Sequence, residues 1–178
     1  MKKISLVFFL LGAWGCGTVF MWSIAMQNFQ VVDEILMALP GPLHDVSAAF
    51  SVENVRLIMR YQASEVNRLF FDGWGMAQIV VAVIVLLIVS KMERRFLRVA
   101  AMLLLGVCLI LQFYVVPETI RLGRIIDFLP RSPSPPEAIL FWRLHHIYTG
   151  LDMAKFITIL GLSTTIFLRR EYWSSDTT

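Results

Sequence analysis

The chain has 178 residues, of which 57% are hydrophobic and 16% charged, and its formal net charge is +3. Soluble domains carry about 25% charged residues, so this composition argues against a water-soluble enzyme and for a single membrane-embedded domain. The positive charge is not a nucleic-acid footprint, because the basic residues fall at the ends of apolar runs.

The first apolar run covers residues 4–29 and contains no Asp, Glu, Lys or Arg. Met1-Lys2-Lys3 ahead of it has the look of a signal peptide, and Ala13-Trp14-Gly15-Cys16 hints at a lipoprotein cleavage site. The run continues well past Cys16, however, so it is long enough to span a bilayer and is expected to stay as a helix. Gly12, Gly15, Cys16 and Gly17 are small enough to let a neighbouring helix approach closely.

Leu39-Pro40-Gly41-Pro42 signals a turn. Ser51 then stands as a cap before Val52, and Val52, Val55, Ile58, Met59, Ala63, Val66 and Phe70 keep a helical period. With no Pro or Gly before Gly73, residues 52–90 are expected to form one long helix. Its part 52–72 stands outside the bilayer and 73–90 spans it. The third span is 99–116. Pro117 follows and is expected to kink the helix without ending it, so an external extension runs from 118 to 150. Within that extension, Pro130-Arg131-Ser132-Pro133-Ser134-Pro135-Pro136 reads as an extended linker. The fourth helix begins at Glu137, with Pro135 or Pro136 near its first turn, and its membrane part is 151–168. The fold class is therefore all-α: an integral membrane antiparallel four-helix bundle with helices extending outside the bilayer.

Lys2, Lys3, Lys91, Arg94, Arg95, Arg98, Arg169 and Arg170 all fall on one side of a four-span chain. By the positive-inside rule that side is the cytoplasm, so both termini are expected there, with a bacterial inner membrane as the best fit. Cys16 and Cys108 lie inside spans and read as buried, unreactive thiols.

Ionisable groups at membrane depth are functional candidates by default. Asp152 and Lys155 qualify, and their i, i+3 spacing lets them pair. Just outside, three helical stripes carry further charge: Glu65, Arg68 and Asp72; Glu118, Arg121 and Arg124; and His145, Tyr148 and Asp152. They either converge as a polar core of matched charges or remain solvated outer faces. His145 or His146 would be the ligand if the chain held a haem or a chlorophyll-type pigment, although no cofactor is the simpler expectation. No spacing resembles a zinc or di-iron site, and the chain has no P-loop, GxGxxG, HExxH or GxSxG.

Phe141-Trp142-Arg143-Leu144-His145-His146-Ile147-Tyr148, followed by Leu151 and an apolar helix, resembles the last-helix pattern of the transmembrane-protein-205-like proteins. That pattern has a small hydroxyl residue where Tyr148 stands here. Val115-Val116-Pro117 with Arg121 resembles the third helix of those proteins, and Gln78 matches loosely in the second. The resemblance implies a four-span bundle and no established activity. The leading functional expectation is a non-catalytic accessory or structural subunit that packs against other membrane proteins. The alternatives are an oligomeric transporter using Asp152, Lys155 and His145, and a haem- or pigment-binding subunit.

Overall fold

The structure, a computed structural model, describes residues 2–38, 41–129 and 133–168. They form α1 (Lys2–Met37), α2 (Gly41–Phe50), α3 (Val52–Ser90), α4 (Arg95–Ile110), a π-helical turn (Leu111–Val115), α5 (Val116–Ile126) and α6 (Pro136–Leu168), with no strand among the described residues. Four helical stretches are long and apolar enough to cross a membrane: Lys3–Met37, Val52–Ser90, Arg95–Ile126 and Pro136–Leu168. The chain divides into two compact units, Met1–Thr18 with Gly73–Thr178, and Val19–Asp72.

The first unit is the bundle, and its helices meet along seams spaced alternately three and four residues apart. Val7, Leu11, Trp14 and Thr18 form the seam of α1; Gln78, Ala82, Val85 and Val89 that of α3; Leu97, Ala101, Leu104 and Cys108 that of α4; and Asp152, Lys155, Ile159, Leu162 and Ile166 that of α6. Such spacing keeps one narrow stripe of each helix facing its neighbours, as left-handed knobs-into-holes packing requires. Neighbours run antiparallel. Trp14 pairs with Gln78 while Gly17 lies against Trp74, so positions advance on α1 as they retreat on α3. Phe8 stacks on Phe167 at 6.3 Å between ring centroids, and Gly15 faces Phe156 and Ile159, so α6 also opposes α1.

Two glycines set how closely helices approach. A Cβ on Gly17 would collide with Cη2 of Trp74, so the indole lies directly on the α1 backbone. A Cβ on Gly75 would collide with Oε1 of Gln112, so that side chain rests on the backbone of α3. Close backbone approach is the usual role of small residues where lipid supplies no hydrophobic drive between helices.

Pro117 lacks an amide hydrogen, and its ring would press on the carbonyl four residues earlier. The chain accommodates it with the π-helical turn just ahead, and α5 continues through the proline. The wider turn also brings consecutive residues to the interior: Leu111 with Gln112, and Val115 with Val116, are buried. Lipid offers the backbone no hydrogen-bond partner, and hydroxyls on the membrane helices turn back to their own chain. Thr158 donates to the Ala154 carbonyl at 2.8 Å and Thr165 to that of Gly161 at 2.8 Å.

The second unit is a helical hairpin built from the end of α1, α2 and the start of α3. Asn28 Nδ2 donates to Asn67 Oδ1 at 2.5 Å, and Asn67 Nδ2 donates to the Ala25 carbonyl at 3.2 Å. Further along, Arg60 lies 3.6 Å from Asp33 and 5.5 Å above the Phe29 ring, which fixes the antiparallel direction. Ser51 caps α3: its backbone is left-handed (φ 62°), and its Oγ accepts from the Asn54 amide at 3.4 Å.

Of the two thiols that the sequence suggests are buried, Cys108 is buried but Cys16 is exposed. Two elements also differ from the expectations drawn from the sequence. Helix α1 runs past the end of the apolar run at Phe29 to Met37, carrying Asp33 and Glu34 within it. The short helix α2 starts within the Pro-Gly-Pro turn signal, at Gly41, with Pro42 at its second position, where a missing amide hydrogen costs nothing. Leu39, Pro40 and the linker positions Pro130, Arg131 and Ser132 lie outside the described residues.

Candidate functional site

At one level of the bundle the seams change from aliphatic to polar. Helix α1 contributes Trp14 and Thr18, α3 contributes Gln78, the π-helical turn contributes Gln112, and α6 contributes Asp152 and Lys155; all are buried. The level is reached by continuing each three-and-four spacing along its own helix, so these side chains are placed by the same register that builds the core.

Lys155 is the centre of the layer. Its side chain is 0% exposed and that of Asp152 is 3% exposed. The ammonium donates to Asp152 Oδ1, one turn back on α6, and to Gln78 Oε1 on α3. Trp14 Nε1–H donates to the same Gln78 oxygen at 3.0 Å. Both neighbours of that oxygen are donors, so it uses its two lone pairs and the amide is fixed with its oxygen inward. Thr18 Oγ1 donates to the Trp14 carbonyl at 3.1 Å, which removes the hydroxyl from competition for Gln78. Cys108 of α4 lies within electrostatic reach of both charges, and Tyr148 of α6 within reach of Asp152.

The arrangement cancels a buried positive charge with a buried negative one and ties α6 to α3 through the ammonium and α3 to α1 through the shared Gln78 oxygen. Isolated charges at this depth are costly, and a pair is tolerated when hydrogen bonds satisfy its remaining capacity. The layer therefore selects one rotation of α6 against α1 and α3, because any other would carry Lys155 away from Gln78.

The remaining candidates from the charged stripes and the histidine pair fall elsewhere. Glu118 and Arg121 close on each other through two hydrogen bonds, of 2.6 and 2.8 Å, on an outward face of α5, where Arg124 is also exposed. His145 and His146 are exposed in the first third of α6. His145 stacks on Phe141 at 6.0 Å and meets Trp142 edge-on at 5.5 Å. Glu65 and Arg68 pair at 2.6 Å, and with exposed Asp72 they belong to the hairpin unit. Among the described residues, no three His, Cys, Asp or Glu side chains are grouped to hold a metal ion.

Sequence reasoning singles out Asp152 and Lys155 but not Trp14, Thr18, Gln78 or Gln112 as their companions. The signal is present for Gln78, which stands four residues before Ala82 on the α3 seam. No protein-family model, curated protein or solved structure matches the chain.

Proposed function

We propose that the protein is a non-catalytic accessory or structural subunit of a larger membrane complex. The observation that carries this reading is the closed interior. The seams are packed with aliphatic side chains, and the Lys155 ammonium is bonded to Asp152 and to Gln78, which also accepts from Trp14. Large apolar side chains instead point outward along every span, among them Phe9, Leu87, Leu103 and Ile157. Such faces accept lipid or the helices of another protein. Extraction in mild detergent is expected to yield this chain with a fixed stoichiometry of other membrane proteins. A solitary chain of uniform size would overturn the reading.

A second reading, an oligomeric transporter or permeation-linked protein, is favoured by the depth of Asp152 and Lys155. It predicts ion or solute flux in vesicles containing the purified protein alone, abolished by Asp152→Asn, which the subunit reading does not.

The proposed setting is a bacterial cytoplasmic membrane with both termini in the cytoplasm, supported by the cations at Lys91, Arg94, Arg95 and Arg98 and in both tails. A reporter fused at Thr178 should then report the cytoplasm and one at Ser132 the outside; the reverse pattern would invert the assignment. The resemblance to transmembrane-protein-205-like proteins, carried by His145, Pro117, Arg121 and Gln78, supports a four-span subunit.

A further inference from the structure

The turn between α3 and α4 gathers charge at one end of the bundle. Lys91, Arg94, Arg95 and Arg98 fall within eight consecutive positions, opposed by Glu93 alone. Among the described residues, Lys91, Arg95 and Arg98 form no ion pair, and all three are exposed. The first turn of α4 contains no acidic residue to offset them.

The fold brings a further cation to the same end. Because α1 opposes α3, the start of α1 lies beside the end of α3, and Ile4 and Met92 pack against one core cluster that includes Leu97. Exposed Lys3 therefore stands on the same rim. Phe96, 65% exposed, is set among these cations at the first turn of an apolar span.

We propose that this rim binds the headgroups of anionic phospholipids. The turn is too short to carry its charges beyond the membrane surface, since α3 ends at Ser90 and α4 begins at Arg95. The guanidinium and ammonium groups are thus held level with lipid phosphates, while Phe96 enters the acyl boundary beside them. A cluster of basic residues directly at the end of a membrane helix is the arrangement that attracts anionic lipid, and its effect fades within a Debye length. A soluble acidic protein would have to reach the same groups through the headgroup layer.

The test uses the full chain carrying Phe96→Trp, reconstituted in vesicles of phosphatidylcholine and phosphatidylglycerol in equal parts. One of the two lipids is brominated in turn, and quenching is taken as the difference from the unsubstituted chain. Brominated phosphatidylglycerol is expected to occupy the site roughly tenfold more than brominated phosphatidylcholine at low salt. Lys91→Gln with Arg95→Gln and Arg98→Gln should bring the ratio near unity. Arg95→Lys with Arg98→Lys, which keeps the charge and the membrane orientation, should preserve it. Equal quenching by the two lipids in the Phe96→Trp chain, or loss of preference in the charge-conserving variant, would overturn the proposal. Inorganic phosphate should reduce the preference no more than chloride of equal ionic strength. A specific effect of phosphate would instead mark a free-anion site and overturn the lipid assignment.

Discussion

Asp152→Asn is expected to lower the unfolding free energy by about 3–5 kcal/mol, the cost of leaving one member of a buried pair uncompensated. Asparagine keeps the shape of the side chain and can still accept a hydrogen bond, so the loss reports charge and not volume. Lys155 would remain fully buried, with Gln78 as its neutral acceptor and no counter-charge. Adding Lys155→Met removes the orphaned ammonium and should recover part of the stability, leaving Gln78 with its bond from Trp14. Thermal unfolding in detergent should therefore rank wild type above the double variant and the double above Asp152→Asn. Equal melting of wild type and Asp152→Asn would remove the structural role and move the interpretation towards transport.

That layer is half legible in the sequence. A charged residue inside an apolar run is conspicuous because it breaks the composition of its surroundings, and Asp152 and Lys155 do so three positions apart. Gln78 and Gln112 break it less, since a neutral amide is unremarkable in isolation. Their significance lies in phase: each stands on the buried stripe of its helix. Phase can be counted for Gln78 from Ala82, Val85 and Val89. It can be counted for Gln112 from Leu104 and Cys108 as well, but the π-helical turn buries Leu111 beside it, and the sequence alone does not show that both face inward. Pro117 signals a disturbance there without saying how the helix absorbs it.

The same distinction runs through the fold. The spans are readable because hydrocarbon imposes a length and a composition, and α3 is readable across its whole extent because no breaker interrupts its period. The end of α1 is not, since Asp33 and Glu34 close the apolar run without ending the helix. The charged stripes of α3, α5 and α6 share one ambiguity. A charge on a helical face has the same sequence signature whether it meets another helix or a neighbour one turn away. For Glu118 with Arg121, and for Glu65 with Arg68, the nearer partner is one turn along the same helix. An ion pair at that spacing forms without any tertiary contact, whereas Lys155 reaches across to α3.

Ala63→Pro is expected to cost about 3 kcal/mol or more. Ala63 lies inside α3 and is 8% exposed, far from either end of the helix. Proline there would remove the amide that bonds the Met59 carbonyl and force its ring against that same turn. No π-helical turn precedes Ala63 to absorb the ring, as one does ahead of Pro117. The damage should begin in the Val19–Asp72 unit, because Asn67 and Arg60, on either side of the substitution, carry the bonds that close the hairpin. Hydrogen exchange followed by mass spectrometry should show residues 52–67 losing protection while 76–90 keep theirs. Ala63→Gly provides the comparison, since it retains the amide and should cost only about 1 kcal/mol. If proline and glycine proved equally mild at this position, the segment before Gly73 would not be a continuous helix in the membrane-bound protein.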